Sequence, residues 1–198
     1  MKKFVLASNN SGKLKEFDQL LSTFKVNVVA QKAFDIPDAI EDAVTFVENA
    51  LIKARHASNL SGLPAIADDS GIEVDALKGA PGIYSARYSG QGDTANWEKL
   101  LKDMASVPTD LRQARFQCLL VFVRHPKDPT PLICQGTWEG HILTAPQGEG
   151  GFGYDPIFGL LNSAQSAAQL SAQDKNARSH RGQALRCLVQ RLSDCHYV

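Results

Sequence analysis

The sequence predicts an α/β fold: a mixed sheet with flanking helices. Three observations carry this. Short apolar runs, bounded by polar or glycine-rich segments, read as buried strands. Longer stretches place apolar residues at helical spacing. The two kinds of segment are interleaved without strict β-α alternation, which calls for a sheet that is not purely parallel.

Residues 4–7 form the first apolar run, and Ser8-Asn9-Asn10-Ser11-Gly12-Lys13 ends it. Leu14, Phe17, Leu20, Leu21 and Phe24 then recur at helical spacing, so the polar loop 8–13 joins a strand to a helix and lies at that helix's N-terminus. Residues 26–30 read as a second strand, followed by an acidic stretch over 35–42. Thr45-Phe46-Val47-Glu48 matches a capping box, and the alanine-rich run after it reads as a helix ending near Gly62. On that helix Asn49, Lys53 and His56 fall at i, i+4 and i+7 and share one face. A third strand is expected over 63–67, running into the acidic turn Ala67-Asp68-Asp69-Ser70-Gly71. A further turn follows at Gly79-Ala80-Pro81-Gly82, then a helix over 94–105. Residues 115–124 make the most strand-like segment, and 131–143 pairs with it as a hairpin. A glycine-rich loop occupies 146–156, and Ser179 can cap a last helix carrying Ala184, Leu185, Leu188, Val189 and Leu192.

The chain has 198 residues, enough for one domain with a sizeable core. Acidic and basic residues balance at 21 each, which argues against a basic face for nucleic acid. No run approaches the roughly 20 apolar residues of a membrane span. The basic-then-apolar start is interrupted after four apolar residues, so it reads as a strand, not a leader, and a cytoplasmic protein is expected. The four cysteines form no Cys-x-x-Cys pair, which disfavours a zinc or redox motif. Cys118 reads as core filling.

Several segments carry chemistry. The loop Ser8 to Lys13 has the makings of an anion site, with N–H groups at a helix N-terminus, a glycine and a lysine; the bland alternative is an ordinary strand-to-helix turn. Asp68 and Asp69 point different ways, so one can bind Mg²⁺ while the other is structural or positions water; the alternative is a common Asp-rich turn. Glu41 and Asp42 offer a second carboxylate or simply a solvated loop. Lys53 can neutralise phosphate charge if its helix borders the site. In Gly150-Gly151-Phe152-Gly153-Tyr154-Asp155-Pro156 the two aromatics either offer flat faces to a purine or tuck into the core. Lys175 precedes Ser179-His180-Arg181, whose two cations open a helix against its dipole.

Taken in order, these segments resemble the inosine triphosphate pyrophosphatase family, the non-canonical purine NTP pyrophosphatases. The matching pieces are Ser8 to Lys13 with Glu16, Glu48-Asn49-Ala50 with Lys53-Ala54, and Ala67-Asp68-Asp69-Ser70-Gly71. They continue with Gly79-Ala80-Pro81-Gly82-Ile83-Tyr84-Ser85-Ala86-Arg87, Gly151 to Pro156 and Ser179-His180-Arg181, and so span nearly the whole chain. The resemblance implies a single domain over 1–198, elongated and two-lobed around a central cleft, with Mg²⁺ as cofactor and a homodimer as the assembly. It implies cleavage of the α–β bond of dITP, ITP and XTP, giving monophosphate and pyrophosphate. It also assigns roles. Ser8, Asn9, Asn10, Ser11, Gly12, Lys13 and Lys53 would contact the triphosphate, and Ser70 would contact substrate. Asp69 would be general base and metal ligand, with Glu41 and Asp68 as further metal ligands. Phe152, Gly153, Tyr154, Asp155, Lys175, His180 and Arg181 would recognise the purine. At one point the chain departs: the family often has Glu-Thr-Gly where this chain has Glu41-Asp42-Ala43.

Overall fold

A β-forming run as buried as Phe4 to Ala7 needs a sheet partner on each side, and its strand β1 (Lys2–Ala7) has two: it pairs in parallel with β2 (Val26–Ala30) and with β3 (Ala65–Val74). The computed structural model describes residues 2–21 and 26–197. The expected place of Phe24 on the first helix lies outside these, as do the side chains of Ser11 and Leu20. Among the described residues the sheet has six strands in the order β2-β1-β3-β4-β5-β6, completed by β4 (Gln113–Val123), β5 (Leu132–Ile142) and β6 (Phe158–Leu160). β5 and β6 are antiparallel, so the sheet is mixed as expected. Side-chain hydrogen bonds from Arg115 to Glu139 and from Thr137 to Gln117 run across the β4–β5 hairpin.

The helices are α1 (Ser11–Leu21), α2 (Phe46–Ser61), α3 (Asp93–Asp103), α4 (Ala172–Arg178) and α5 (His180–Asp194). Asn10 opens α1, its Oδ1 accepting the Lys13 backbone N–H at 2.9 Å. Thr45 opens α2 by accepting from the Glu48 N–H and donating to the Glu48 carboxylate. Gly62, at φ 70°, closes α2 in the left-handed conformation that glycine adopts without strain. The sequence pattern did not mark α4 or β6, both too short to show a period.

One expectation changes in kind. Ala67 to Gly71 is not a turn at a strand end: β3 runs unbroken from Ala65 to Val74. Aspartate is a poor strand former, but here cations and neighbouring strands satisfy what its propensity does not. In a strand, successive side chains project to opposite faces, so Asp68 and Asp69 are separated by the pleat.

The chain forms two compact units. The first comprises residues 1–69, 118–136 and 181–198; the second comprises 70–117 and 137–180. The first holds two apolar clusters. In one, Phe4, Phe17, Ile66, Leu120 and Phe122 pack with Leu185 and Leu188 of α5. In the other, Ala50, Ala54 and Ala57 of α2 lie against Val5, Ala65, Ala67 and Val121, and these small residues let the helix approach the sheet closely. The second unit is built on Ile72, Leu100, Phe116, Trp138, Ile157 and Phe158. There the buried Ser85 hydroxyl accepts the Ile72 N–H at 2.9 Å and donates to the Gly82 carbonyl at 2.6 Å.

Candidate active site

The register of the parallel strands decides where the first cluster forms. Ala7, the last residue of β1, lies opposite Ala67, so the loop Ser8 to Lys13 leaves the sheet beside Asp68 and Asp69. Open sheets place their sites at the carboxyl ends of parallel strands for this reason.

On one face of β3 is Asp68, 1% exposed. Lys13 forms an ion pair with its Oδ1. Arg181 Nε donates to its Oδ2 at 3.0 Å and the Cys118 thiol donates to the same oxygen at 3.2 Å. Arg181 also pairs with Glu16, one turn along α1 from Lys13. Two carboxylates thus meet two cations. Burial alone would push the Asp68 carboxyl up, but Lys13 and Arg181 outweigh it and hold the group well below the usual carboxylate range.

On the other face is Asp69, 6% exposed. Its Oδ1 accepts from Lys53 Nζ at 2.9 Å, and Lys53 reaches Glu41 Oε2 at 3.1 Å. Here two carboxylates share one lysine, so the trio carries a net negative charge. Asp69 Oδ2 is buried and has no hydrogen-bond partner among the described residues. Burial raises the Asp69 carboxyl above the usual range, against the opposing pull of Lys53. Burial would lower the Lys53 ammonium, but Asp69 and Glu41 turn the balance and raise it.

The face of α2 expected from the sequence holds the loop that bears Glu41. Asn49 Oδ1 accepts the Ala43 N–H at 3.2 Å, Lys53 takes Glu41, and a His56 ring nitrogen lies 2.9 Å from the Pro37 carbonyl oxygen. Asp38, in the same loop, accepts from Asn9 at 2.8 Å and from Gln31 at 2.7 Å. Ala43 is not among the residues with positive φ, so the missing glycine imposes no strain and Glu41 still reaches Lys53. Replacing Asn49 with alanine strips the Ala43 N–H of its acceptor, at about 1–3 kcal/mol, but also removes the buried, unpartnered Nδ2 donor. The net destabilisation expected for Asn49→Ala is therefore at the low end, about 1 kcal/mol, with a loosened Glu41 loop that would lower any turnover depending on Glu41. Urea unfolding and steady-state kinetics check the two parts.

Within the second unit, the glycine-rich loop is organised by Asp155. Its Oδ2 accepts the Phe152 N–H at 2.8 Å and the Lys175 ammonium at 2.7 Å, and Lys175 Nζ lies 4.5 Å from the centroid of the Phe152 ring. The Gly153 N–H donates to Asp93 at 3.0 Å. Phe152 is half-buried, with part of its surface exposed, whereas Tyr154 is in the core. A buried phenol needs an acceptor, and Tyr154 donates to the Ser85 carbonyl at 2.8 Å. Of the two rings, only that of Phe152 has exposed surface. The His180 ring stacks on Phe116, centroids 4.8 Å apart and planes 15° apart.

A model of the Ham1 family matches residues 4–191. The chain belongs to the Ham1 family. A relative from Vibrio cholerae named dITP/XTP pyrophosphatase is 55% identical over 196 residues, covering 98% of each chain. Another of that name, from Photobacterium profundum, is 56% identical over 196 residues, covering 98% of this chain and 100% of its own. A solved structure of a HAM1 protein from Coxiella burnetii matches with a TM-score of 0.91 at 46% identity, over 98% of this chain and 100% of that one. One from Mycobacterium abscessus, titled nucleoside-triphosphatase / dITP/XTP pyrophosphatase, matches with a TM-score of 0.76 at 40% identity, over 94% and 98%. The six-stranded mixed sheet with its helices is the Ham1 fold.

In this Ham1 chain two expected site residues are held by ion pairs. Arg181, expected at the purine, sits on Asp68 and Glu16. Asp68, expected to help hold a metal, has both oxygens engaged by Lys13, Arg181 and Cys118. Ser8 and Asn10 shape their own loop: the Asn10 N–H donates to Ser8 Oγ at 3.2 Å. Ser70 is half-buried on β3, and Gly12 lies in the first turn of α1. Glu16 carried no role in the sequence reading, although its i+3 spacing from Lys13 on one helix face was a usable signal.

Gly151 sits at φ +74°, and a Cβ there would run into the Asp155 carboxylate. Gly151→Ala is therefore expected to push Asp155 off Lys175 and the Phe152 N–H. The KM for a purine nucleotide should rise roughly tenfold, the worth of one such hydrogen bond, with kcat little changed. Steady-state kinetics decide it; an unchanged KM would detach this loop from the substrate.

Proposed function

We propose that this Ham1 protein hydrolyses non-canonical purine nucleoside triphosphates, dITP, ITP and XTP, to the monophosphate and pyrophosphate with Mg²⁺. One observation carries the reading: Asp69 and Glu41 share a single lysine, and the buried Asp69 Oδ2 lacks a hydrogen-bond partner among the described residues. Such a trio is short of one positive charge and one hydrogen-bond donor. A magnesium ion would supply the charge, and a water the hydrogen bond.

The donor set fits magnesium. Among the described residues no three His, Cys, Asp or Glu form a metal-type cluster. Magnesium does not require one, because it keeps several waters and is held by one or two carboxylates together with substrate phosphates. Asp69 and Glu41 would hold it; Asp68, already neutralised, would not. When bound, the ion supplies charge neutralisation at the phosphates. The chain's own groups do the rest. Asp69 accepts the proton of the attacking water. That water attacks the α-phosphorus, the bond to the bridging oxygen breaks, and pyrophosphate leaves. Lys53 and the α1 N-terminus with Lys13 offset the developing charge. Arg181 acts as a positioning residue that keeps Asp68 and Lys13 in place.

Base recognition falls to Phe152 as the stacking face, with Asp155 and Lys175 against it, Gly153 next in the loop, and His180, stacked on Phe116, as a further member of the set. A donor aimed at the 6-oxo group of hypoxanthine or xanthine would face an amino group in adenine, at a cost of about 1–3 kcal/mol. His180→Ala is expected to narrow the preference for ITP over ATP about tenfold; kcat/KM for both nucleotides, read on a variant whose fold is checked by circular dichroism, decides it.

The test of the function is a substrate panel with product identification. Pyrophosphate from dITP, ITP and XTP, turned over faster than ATP, GTP and modified pyrimidine or methylated purine nucleotides, is expected, with chelation stopping turnover. Orthophosphate as product, or a modified pyrimidine as the fastest substrate, would overturn it. A homodimer and a cytoplasmic place complete the reading. Among the described residues no helix is long and apolar enough to cross a membrane. Ile40 and Val44, exposed at 82% and 80%, are the kind of apolar surface a second copy would cover; sedimentation equilibrium measures the assembly.

A further inference from the structure

Spacing alone offers no reason to pair the cysteines, since none lie in a Cys-x-x-Cys motif. The fold does pair two. Cys134 on β5 and Cys187 on α5 are both free thiols, and their sulfurs lie 2.8 Å apart. A disulfide holds its sulfurs at about 2.0 Å, so the bond requires a shift of under an ångström. The two residues have distinct surroundings. Cys134 is 1% exposed within the core of the first unit, while Cys187, packed against that core, is partly open to solvent. Arg191 follows Cys187 by one turn of α5, and its guanidinium donates to the carbonyl of Ile133, the neighbour of Cys134, at 3.1 Å. The helix is thereby fixed to the strand with the two thiols in register.

We propose that Cys134 and Cys187 form a thiol-oxidation site, a dithiol that closes to an intramolecular disulfide when the protein meets a small-molecule disulfide of the glutathione class. Cys187 is the entry point because it is the accessible member, and burial pushes the Cys134 thiol up to about 12. The Cys187 thiolate attacks one sulfur of the oxidant, forming a mixed disulfide and expelling one thiol. Cys134 then attacks the Cys187 sulfur, forming the Cys134–Cys187 bond and expelling the second thiol. Two protein thiols are oxidised and one small disulfide is reduced to two thiols, which carry away both protons. The chain leaves the first unit after Gly136 and returns at Arg181, so the bond would close a covalent loop around the whole intervening segment. Loop closure of that length restricts the unfolded chain and raises the unfolding temperature. Neither cysteine belongs to the acidic clusters, so the site stands or falls independently of the proposed hydrolysis.

The test uses the full chain with the exposed Cys195 changed to serine, so that contacts between molecules through that thiol are removed. The native protein is incubated with oxidised glutathione, and free thiols are counted before and after. The expected result is a fall from three thiols to one, a Cys134–Cys187 cross-linked peptide by mass spectrometry, and a Tm raised by several degrees that dithiothreitol reverses. Adding Cys187→Ser should abolish the cross-link and the Tm rise, while Cys134→Ala should stop the reaction at a glutathione adduct on Cys187. Three thiols surviving in the native protein, or a cross-link that forms only after denaturation in urea, would overturn the proposal.

Discussion

Asp69→Asn is expected to lower kcat by about 10²–10⁴-fold, the usual worth of a general base, while the folded protein survives. The amide matches the carboxylate in shape and cannot take a proton from water. Stability should hold for a reason that follows from the sign of the shift. Burial raises the Asp69 carboxyl in the fold, so the folded state binds this proton more readily than the unfolded chain does. The ionised side chain therefore costs stability as pH rises above its ordinary range, and removing it relieves that cost. Lys53 keeps Glu41 as a partner. Pyrophosphate release and a thermal melt on the same preparation separate the two effects. Activity within tenfold of the parent would remove Asp69 from its role, and a collapsed melt would show that the trio is structural.

Asp68→Asn should behave in the opposite way. Asp68 is fully enclosed with Lys13, Arg181 and Glu16, and removing its charge leaves two cations facing one carboxylate. Breaking a buried pair in this manner costs about 3–5 kcal/mol, enough to consume much of a typical domain's stability. The sign with pH is also reversed. The Asp68 carboxyl is lowered in the fold, so its contribution is present above the ordinary carboxylate range, near pH 4, and is lost as pH falls further toward the folded value. The parent should lose stability on acidification below about pH 4 more steeply than Asp68→Asn does. Urea unfolding between pH 2 and 7 tests both the size and the slope; parallel curves would show that Asp68 has no special standing among the carboxylates.

These neighbours illustrate what was legible in the chain. Adjacent aspartates flanked by apolar residues announced a site, and their opposite directions followed from alternation alone. Their division of labour did not. It depends on Lys13 and Arg181, separated by 113 residues or less from Asp68 in sequence, reaching one face, and on Lys53 reaching the other. Asn49, Lys53 and His56 could be placed on one helical face from spacing, but not against the loop over residues 37–43, because a periodic pattern says which residues share a face and nothing of what meets it. The two aromatics of the glycine-rich loop could not be told apart either: Phe152 and Tyr154 have the same chemistry at the ring, and only the Ser85 carbonyl draws one into the core.

Resemblance to a known family supplied the residues proposed for a phosphate site and a base site; by itself the sequence determined the mixed α/β class, the limits of most strands and helices, and the strand-to-helix loop at Ser8 to Lys13. These are consequences of local preference and of the periods 2 and 3.6. Only the tertiary structure decided that the acidic segment is a continuous strand, that Asp68 is neutralised while Asp69 keeps an unpartnered oxygen, and that Cys134 meets Cys187. Each of those outcomes is set by charge balance, burial and proximity among residues far apart along the chain, which no local pattern encodes.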